Sequence, residues 1–129
     1  MKAWTTMIIG IGTDIIEIER IAKSHRQYGN KFLTRIFTQE EIRYAMAKKN
    51  PYPSLAVRFA AKEALIKATR EGKFHNFDWL EAAIDTQNNG VPHFRFQNAL
   101  ARFLENATVH VSLSHSQHYA AATVVIEKI

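Results

Sequence analysis

The sequence predicts a mixed α+β fold in which an antiparallel sheet packs on one long core helix. Residues 55–68 carry apolar side chains at helical spacing, which predicts a buried helix. Residues 108–113 and 119–126 have the composition of strands and are separated by a polar loop. The sequence 88–90, Asn-Asn-Gly, is a typical hairpin turn. Helix and hairpin signals in one short chain together indicate the mixed class.

The first predicted elements are a strand and a helix. Residues 8–11 are mainly isoleucine, which predicts a short buried strand. Asp14 is followed three residues later by Glu17, the spacing of a capping box. We therefore expect a helix to begin here and to continue through residues 20–23.

Two further helices are expected before the middle of the chain. Thr38 and Glu41 repeat the capping spacing, and they predict a helix that reaches toward Lys49 and ends at the prolines that follow. Ser54 is positioned to cap the core helix, which we expect Gly72 to end.

The remaining elements are short. Residues 80–84 and 91–96 flank the Asn-Asn-Gly turn and predict a two-stranded hairpin. Residues 100–104 predict a short helix that leads into the last two strands.

Composition limits the classes of protein to which the chain can belong. It has 129 residues, nearly half of them apolar, so we expect one domain over residues 1–129. It contains no cysteine, which excludes disulfides and thiolate nucleophiles. Because we find neither a membrane-spanning run nor a secretory signal, we expect a cytoplasmic protein that does not bind membranes. The formal charge of +5 favours an anionic partner.

The first candidate site motif is residues 10–14, Gly-Ile-Gly-Thr-Asp. Glycines allow a tight turn of the backbone, and Asp14 would emerge at the end of a buried strand, where a metal ion or a phosphate could bind. The alternative is that Asp14 only caps the following helix.

The second motif is residues 58–67, which form part of the core helix. Glu63 and Lys67 are four residues apart and therefore share one helix face. An ordinary surface ion pair is one interpretation. A polar site is the other, since charges in a mostly apolar helix concentrate where something polar must be met.

The third motif is residues 110–116, His-Val-Ser-Leu-Ser-His-Ser. Alternate residues of a strand share a face, so His110, Ser112 and Ser114 lie together, while His115 begins the loop. These side chains can donate to phosphate or ribose oxygens, although they also form local hydrogen bonds at strand ends.

Several common catalytic motifs are absent from the sequence, including the P-loop, the G-x-S-x-G elbow, H-E-x-x-H and the dinucleotide fingerprint. Two separated carboxylates with several lysines and no thiol fit magnesium-assisted phosphoryl chemistry, because Mg²⁺ prefers a few carboxylates together with substrate phosphates and water.

Taken in order, the three motifs resemble those of the holo-acyl-carrier-protein synthase family. The resemblance extends from Met7 over nearly the whole chain, so residues 1–6 look like an N-terminal extension. It implies the small 4′-phosphopantetheinyl transferase fold. It also implies an enzyme that transfers 4′-phosphopantetheine from coenzyme A to a serine of apo-acyl carrier protein, releasing adenosine 3′,5′-bisphosphate, in fatty acid biosynthesis.

The resemblance further implies the metal and phosphate ligands. Asp14 and Glu63 would bind Mg²⁺, and both would be catalytic together with Lys67. Lys62 and Lys67 would face phosphate oxygens of the cofactor.

The other implied contacts are with coenzyme A and the carrier protein. Arg58 and His115 match positions that contact coenzyme A. Arg20, Lys31 and Arg35 lie where such enzymes receive the acidic carrier protein. Members of the family are trimers with active sites between subunits, so we expect a homotrimer.

Two alternative functions remain open from the residues alone. The first is a small basic nucleic-acid-binding module. The positive charge and the aromatic residues Phe94 and Phe96 support it. The second is a magnesium-dependent nucleotide phosphohydrolase. The leading interpretation, by contrast, expects no nucleic-acid partner.

Overall fold

The computed structural model describes residues 5–70, 74–86 and 90–128. Its elements are, in chain order, β1 (Met7–Glu17), α1 (Ile18–Tyr28), α2 (Asn30–Ile36), α3 (Gln39–Met46), α4 (Tyr52–Arg70), a 3₁₀ turn (Trp79–Glu81), β2 (Ala82–Asp85), β3 (His93–Phe96), α5 (Asn98–Phe103), β4 (Ala107–His115) and β5 (Tyr119–Lys128).

Two antiparallel sheets organise the strands. The larger has the order β1-β5-β4, and the smaller is the β2–β3 hairpin, in which Ala82 pairs with Phe96. The α+β class, the predicted hairpin and the pairing of the last two strands are confirmed. Within the described ranges, no helix is long and apolar enough to cross a membrane.

Helix α4 is the core helix that the sequence predicts. Leu55, Ala60, Ala61, Ala64 and Leu65 have no exposed surface. One face of the larger sheet packs on this helix through the alternating buried residues of β5, which are Ala120, Ala122, Val124 and Ile126. The sheet therefore fixes α4 from one side, while α1 and α3 contact it elsewhere.

Strand β1 approaches α4 more closely than side chains would allow. A Cβ atom on Gly12 would lie 1.9 Å from the main-chain oxygen of Ala64, and one on Gly10 would lie 2.1 Å from that of Ala68. Both distances are impossible contacts, so only glycine fits at these two positions. The prediction that these glycines form a tight turn is wrong: they lie inside a continuous strand and allow it to contact the helix backbone.

The expected capping role of Asp14 is also wrong. β1 continues through Asp14 to Glu17, and α1 begins only at Ile18, with Glu17 at the N-cap and no side-chain cap hydrogen bond. Pairing with β5 keeps this segment extended, because each residue of 10–17 has a partner there. A second short helix, α2, follows α1 and was not predicted.

The capping box of α3 is confirmed, since Thr38 and Glu41 bond reciprocally at its N-terminus. This helix ends at Met46, a few residues before the predicted end. Helix α4 begins at Tyr52, so Ser54 lies inside its first turn rather than capping it. Gly72 and residues 88–89, for which a helix end and a turn were predicted, lie outside the described residues.

Candidate active site

Asp14, Glu63 and Lys67 converge where β1 crosses α4. Side chains alternate along a strand, so Asp14 points to the same side as Gly10 and Gly12, which contact the helix. Glu63 and Lys67 are one turn apart on the helix face that meets this strand. Glu63 and Lys67 share a helix face as predicted, and with Asp14 they form a site built from α4 and β1.

Lys67 joins the strand to the helix. Its Nζ donates to the main-chain oxygen of Thr13 at 2.8 Å and to Oδ1 of Asp14 at 3.2 Å. The Lys67 side chain is 48% exposed and that of Asp14 is 18% exposed. The ammonium group is therefore held beside the carboxylate and remains accessible to a ligand in solvent.

The electrostatics of this site disfavour two negative charges. Burial and the neighbouring charge of Asp14 raise the pKa of Glu63, while Lys67 and Arg70 partly offset this effect. Two carboxylates that repel each other at a partly exposed site are an arrangement that a divalent cation relieves.

The donor set fits magnesium. Asp14 and Glu63 supply hard oxygen ligands, which Mg²⁺ prefers. Within residues 5–70, 74–86 and 90–128, no group of three or more His, Asp or Glu side chains surrounds one point. A magnesium ion here would thus take two carboxylates from the chain and complete its octahedral shell with phosphate oxygens and water, which is its usual preference.

Arg58 lies on a different face of α4 from Glu63. It is only 3% exposed, and its Nη1 donates to the main-chain oxygen of Ser54 at 3.2 Å. In the described part of the chain, its Nε has no hydrogen-bond partner. Its guanidinium lies 4.5 Å from the ring centre of Tyr44, and the ammonium of Lys48 lies at the same distance. The predicted coenzyme A contact is therefore a buried cation with an unused donor.

Lys62 is not where the sequence prediction put it. Its side chain has no exposed surface, and its Nζ donates to Oε1 of Glu41 at 2.7 Å and to the main-chain oxygens of Ile36 and Trp79. All three ammonium hydrogens are used inside the protein. The prediction that Lys62 faces phosphate oxygens is wrong, because the 100° turn per residue carries it away from Glu63 and toward α3.

The β4 motif lies on the other side of β5 from β1. His110, Ser112 and Ser114 are exposed on one face of the strand as predicted, and Nε2 of His110 is 2.7 Å from Oε1 of Glu127. His115 is exposed and is the last residue of β4 rather than a loop residue. Its Nδ1 lies 3.4 Å from the main-chain oxygen of Ser116.

The predicted partner residues lie on the surface of α1 and α2. Lys31 and Arg35 line a groove of about 470 Å³ together with Ser24, Tyr28, Phe32 and Ile36. Arg20 is exposed on α1. Within the described part of the chain, none of these three cations forms a salt bridge. Unpaired positive charge beside an apolar groove fits an acidic partner that also carries apolar side chains.

Tyr44 and Glu41 are functional candidates that the motifs did not reveal. Tyr44 contacts two cations, and Glu41 holds Lys62. The capping box identified Glu41 only as a local feature of α3. Its second role depends on a lysine that is distant in sequence, for which no local pattern exists.

The aromatic residues that favoured a nucleic-acid-binding module are otherwise engaged. Phe94 and Phe96 stack on each other with ring centres 5.3 Å apart and pack against the core. Rings that stack on bases must instead be presented to solvent. This hairpin therefore gives no support to nucleic-acid binding.

Comparisons with known proteins identify the family. Residues 10–124 match the family model of the 4′-phosphopantetheinyl transferase superfamily. The holo-(acyl-carrier-protein) synthase of Protochlamydia amoebophila is 42% identical over 119 residues, which cover 92% of this chain and 98% of the relative. That of Chlamydia muridarum is 42% identical over 120 residues, covering 93% of this chain and 95% of the relative.

Solved structures give the same result. The holo-(acyl-carrier-protein) synthase of Neisseria meningitidis superposes with a TM-score of 0.83 at 34% identity, covering 95% of this chain and 100% of that chain. That of Bacillus anthracis, solved in complex with coenzyme A (3′,5′-ADP), gives a TM-score of 0.78 at 35% identity, covering 95% and 99%. Sequence and fold thus agree, and the chain belongs to the 4′-phosphopantetheinyl transferase superfamily.

Proposed function

We propose that this chain is a holo-(acyl-carrier-protein) synthase, which transfers 4′-phosphopantetheine from coenzyme A to a serine of apo-acyl carrier protein. The observation that carries the proposal is the convergence of Asp14, Glu63 and Lys67 from two elements in a chain of this family. Its product, the holo-carrier protein, serves fatty acid biosynthesis. A cytoplasmic location stays a prediction.

The reaction needs one bond made and one broken. The serine oxygen of the carrier attacks the β-phosphorus of coenzyme A, and the pyrophosphate P–O bond breaks, so that adenosine 3′,5′-bisphosphate leaves with that oxygen. We assign the serine proton to Glu63 rather than His115, because an imidazole at the end of a strand serves equally well as a nucleotide contact. Phosphoryl transfer depends mainly on positioning and on neutralising charge.

Each residue of the site has a part in that positioning. Lys67, fixed by Thr13 and Asp14, would donate to the oxygens of the transferred phosphoryl group. Arg58 would bind an anionic group of coenzyme A, for which its Nε is a donor without a partner among the described residues. Magnesium, held by Asp14 and Glu63, would supply positive charge to the pyrophosphate.

The groove of α1 and α2 is the proposed docking site of the carrier protein. Its unpaired cations Lys31 and Arg35, with Arg20 nearby on α1, would meet carboxylates of an acidic partner. Tyr28 and Phe32 would meet its apolar side chains. Charge of this kind mainly accelerates association and weakens as salt is added.

A homotrimer with active sites between subunits completes the proposal. The face of the β1-β5-β4 sheet that is turned away from α4 exposes large apolar side chains, with Ile11 at 58% and Ile15 at 68%. Large apolar side chains exposed along β1 on this face, beside the polar residues of β4, are typical of a surface that another chain covers. His115, at the end of β4, would then contribute to the coenzyme A cleft of a neighbouring subunit.

A mass measurement tests the proposed function. The chain is incubated with coenzyme A, Mg²⁺ and an apo-acyl carrier protein, and the mass of the intact carrier is measured. We expect one added phosphopantetheine, and none on a carrier whose acceptor serine is replaced by alanine. An unmodified wild-type carrier would refute the function. Release of phosphate or nucleotide without carrier modification would point to the phosphohydrolase instead.

A further inference from the structure

The Lys62–Glu41 pair is a fully buried ion pair that the reaction does not use directly. Both side chains are buried, with 0% and 1% of their surfaces exposed. Oε1 of Glu41 accepts from Lys62 and from the main-chain nitrogen of Thr38, and Oε2 accepts from the main-chain nitrogen of Ile84 at 2.9 Å. The pair therefore ties α3, α4 and β2 together.

Arg58 lies beside this pair on α4. Arg58 and Lys62 are four residues apart, so they share a helix face, and Arg58 and Glu41 line the same small cavity of about 30 Å³. Burial lowers the pKa of Arg58, and the charge of Glu41 is the largest influence that opposes this lowering. Glu41 is thus the carboxylate that would most readily form an ion pair with the Arg58 guanidinium in place of a ligand.

Arg58 nevertheless does not pair with Glu41. Within the described residues it forms no salt bridge, and its Nε is without a hydrogen-bond partner. Burial of the guanidinium is costly, and the charges of Glu41, Tyr44 and Asp85 offset that cost only in part, so an anionic ligand would offset more of it. The Glu41 carboxylate, by contrast, is saturated by Lys62 and by main-chain donors.

We propose that Lys62 is a positioning residue that neutralises Glu41 and so keeps the Arg58 guanidinium available for an anionic group of coenzyme A. This inference rests on the proposed function, from which it takes the ligand. In this inference Lys62 does not contact phosphate itself but affects coenzyme A binding through Glu41 and Arg58. Without Lys62, the buried carboxylate would take Arg58 as its counter-ion, because an unpaired buried charge draws the nearest opposite charge.

The test compares a single with a double variant by calorimetric titration with coenzyme A. Lys62→Met is expected to weaken binding about tenfold or more, as loss of a charged hydrogen bond to a ligand does. Adding Glu41→Gln removes the competing charge, so Lys62→Met/Glu41→Gln is expected to bind within about threefold of wild type. A direct contact of Lys62 with coenzyme A predicts no such recovery, whereas a merely structural role predicts that affinity follows the melting temperature of each variant.

Leu65→Ala is the control for general destabilisation, since Leu65 is buried on the same helix and uncharged. It is expected to lower the melting temperature and to leave coenzyme A affinity within about threefold of wild type. If Lys62→Met does not fold, Lys62→Gln replaces it with the same expected results.

Two results would overturn the inference: a double variant as weak as the single one, or a single variant that binds as tightly as wild type. The carrier-mass assay is read separately. A wild-type chain that binds coenzyme A but does not modify the carrier would refute the proposed function and leave the role of Lys62 to be decided by the titrations.

Discussion

Asp14 and Glu63 are weak signals alone, and their meaning comes from their proximity. An aspartate near a strand end and a glutamate in a helix each have ordinary structural uses. Burial and, after it, the charge of Asp14 on the neighbouring element raise the pKa of Glu63. At the scale of single residues, this repulsion is what favours a shared cation.

Substitution of either carboxylate tests the shared role. Asp14→Asn and Glu63→Gln are each expected to lower kcat/KM by about 100-fold or more, the effect of losing one charge-stabilising group at a reacting centre. The measurement is carrier modification at limiting Mg²⁺. Glu105→Gln, at an exposed position in the turn after α5, is the matched control and should keep normal activity. Near-normal activity of Asp14→Asn would return that residue to a structural role.

Glu63 also makes stability depend on pH. The pKa of Glu63 is raised in the folded chain, so the unfolded chain releases the carboxyl proton at lower pH than the folded chain does. The free energy of unfolding therefore falls as the pH rises above the ordinary glutamate pKa. Without metal, Glu63→Gln should therefore melt at a higher temperature than wild type at pH 7, with a smaller difference near pH 4. Added Mg²⁺ should raise the melting temperature of wild type more than that of the variant.

A melting temperature of Glu63→Gln that is lower than wild type at pH 7, with no response of wild type to Mg²⁺, would contradict the shared-cation site. The melting temperature of Asp14→Asn is measured for comparison, because this variant removes the same repulsion between Asp14 and Glu63.

At the scale of elements, helix α4 separates two kinds of chemistry on two faces. Glu63 and Lys67 face β1 and solvent, whereas Arg58 and Lys62 face α3 and the β2–β3 hairpin. Lys62 and Glu63 are adjacent in sequence, but Lys62 is buried against α3 whereas Glu63 lies at the partly exposed site beside β1. The helical repeat makes this separation, and the surrounding elements decide which face is buried.

The contact of β1 with α4 gives a prediction about Gly12. Gly12→Ala is expected to destabilise the fold by roughly 1–3 kcal/mol or more, because its Cβ would force the strand away from the helix. Chemical denaturation measures the loss. Ala64→Gly should not rescue it, since the atom 1.9 Å away is the main-chain oxygen of Ala64. Full rescue would show that side-chain crowding, not backbone contact, determines the glycine.

The groove of α1 and α2 gives a prediction about the partner. Lys31→Glu and Arg35→Glu are each expected to raise KM for the carrier about tenfold while leaving KM for coenzyme A unchanged, because only the carrier meets this charge. Added salt should shrink the difference. Arg102→Glu on α5, an exposed cation outside the groove, is the control. An unchanged KM for the carrier would remove that residue from the docking site.

At the scale of the whole molecule, the exposed sheet face predicts assembly. Ile15→Lys is expected to convert the proposed trimer to monomers, since a lysine in place of this exposed isoleucine would be costly to bury in an interface. Sedimentation velocity measures the change, and transfer activity should fall with it. Met46→Lys on α3, an exposed apolar residue away from this sheet, is the control. A trimer that persists in Ile15→Lys would place the interface elsewhere.

The sequence by itself determined the class of the fold, the core helix, the hairpin, the capping box of α3 and the family. These depend on local period, turn chemistry and motif order, which neighbours in sequence carry. The convergence of Asp14 with Glu63 and Lys67 followed only from family resemblance, yet the geometry agrees with it.

Only the tertiary structure decided the rest. The capping spacing at Asp14 favoured a helix, but pairing with β5 extended the strand to Glu17, since main-chain hydrogen bonds to a neighbour outweigh a local preference. Lys62 belongs to the same motif as Glu63, but its burial against Glu41 depends on how α3 packs. Local sequence specifies which residues lie on each face of an element, whereas packing between distant segments determines what each face meets.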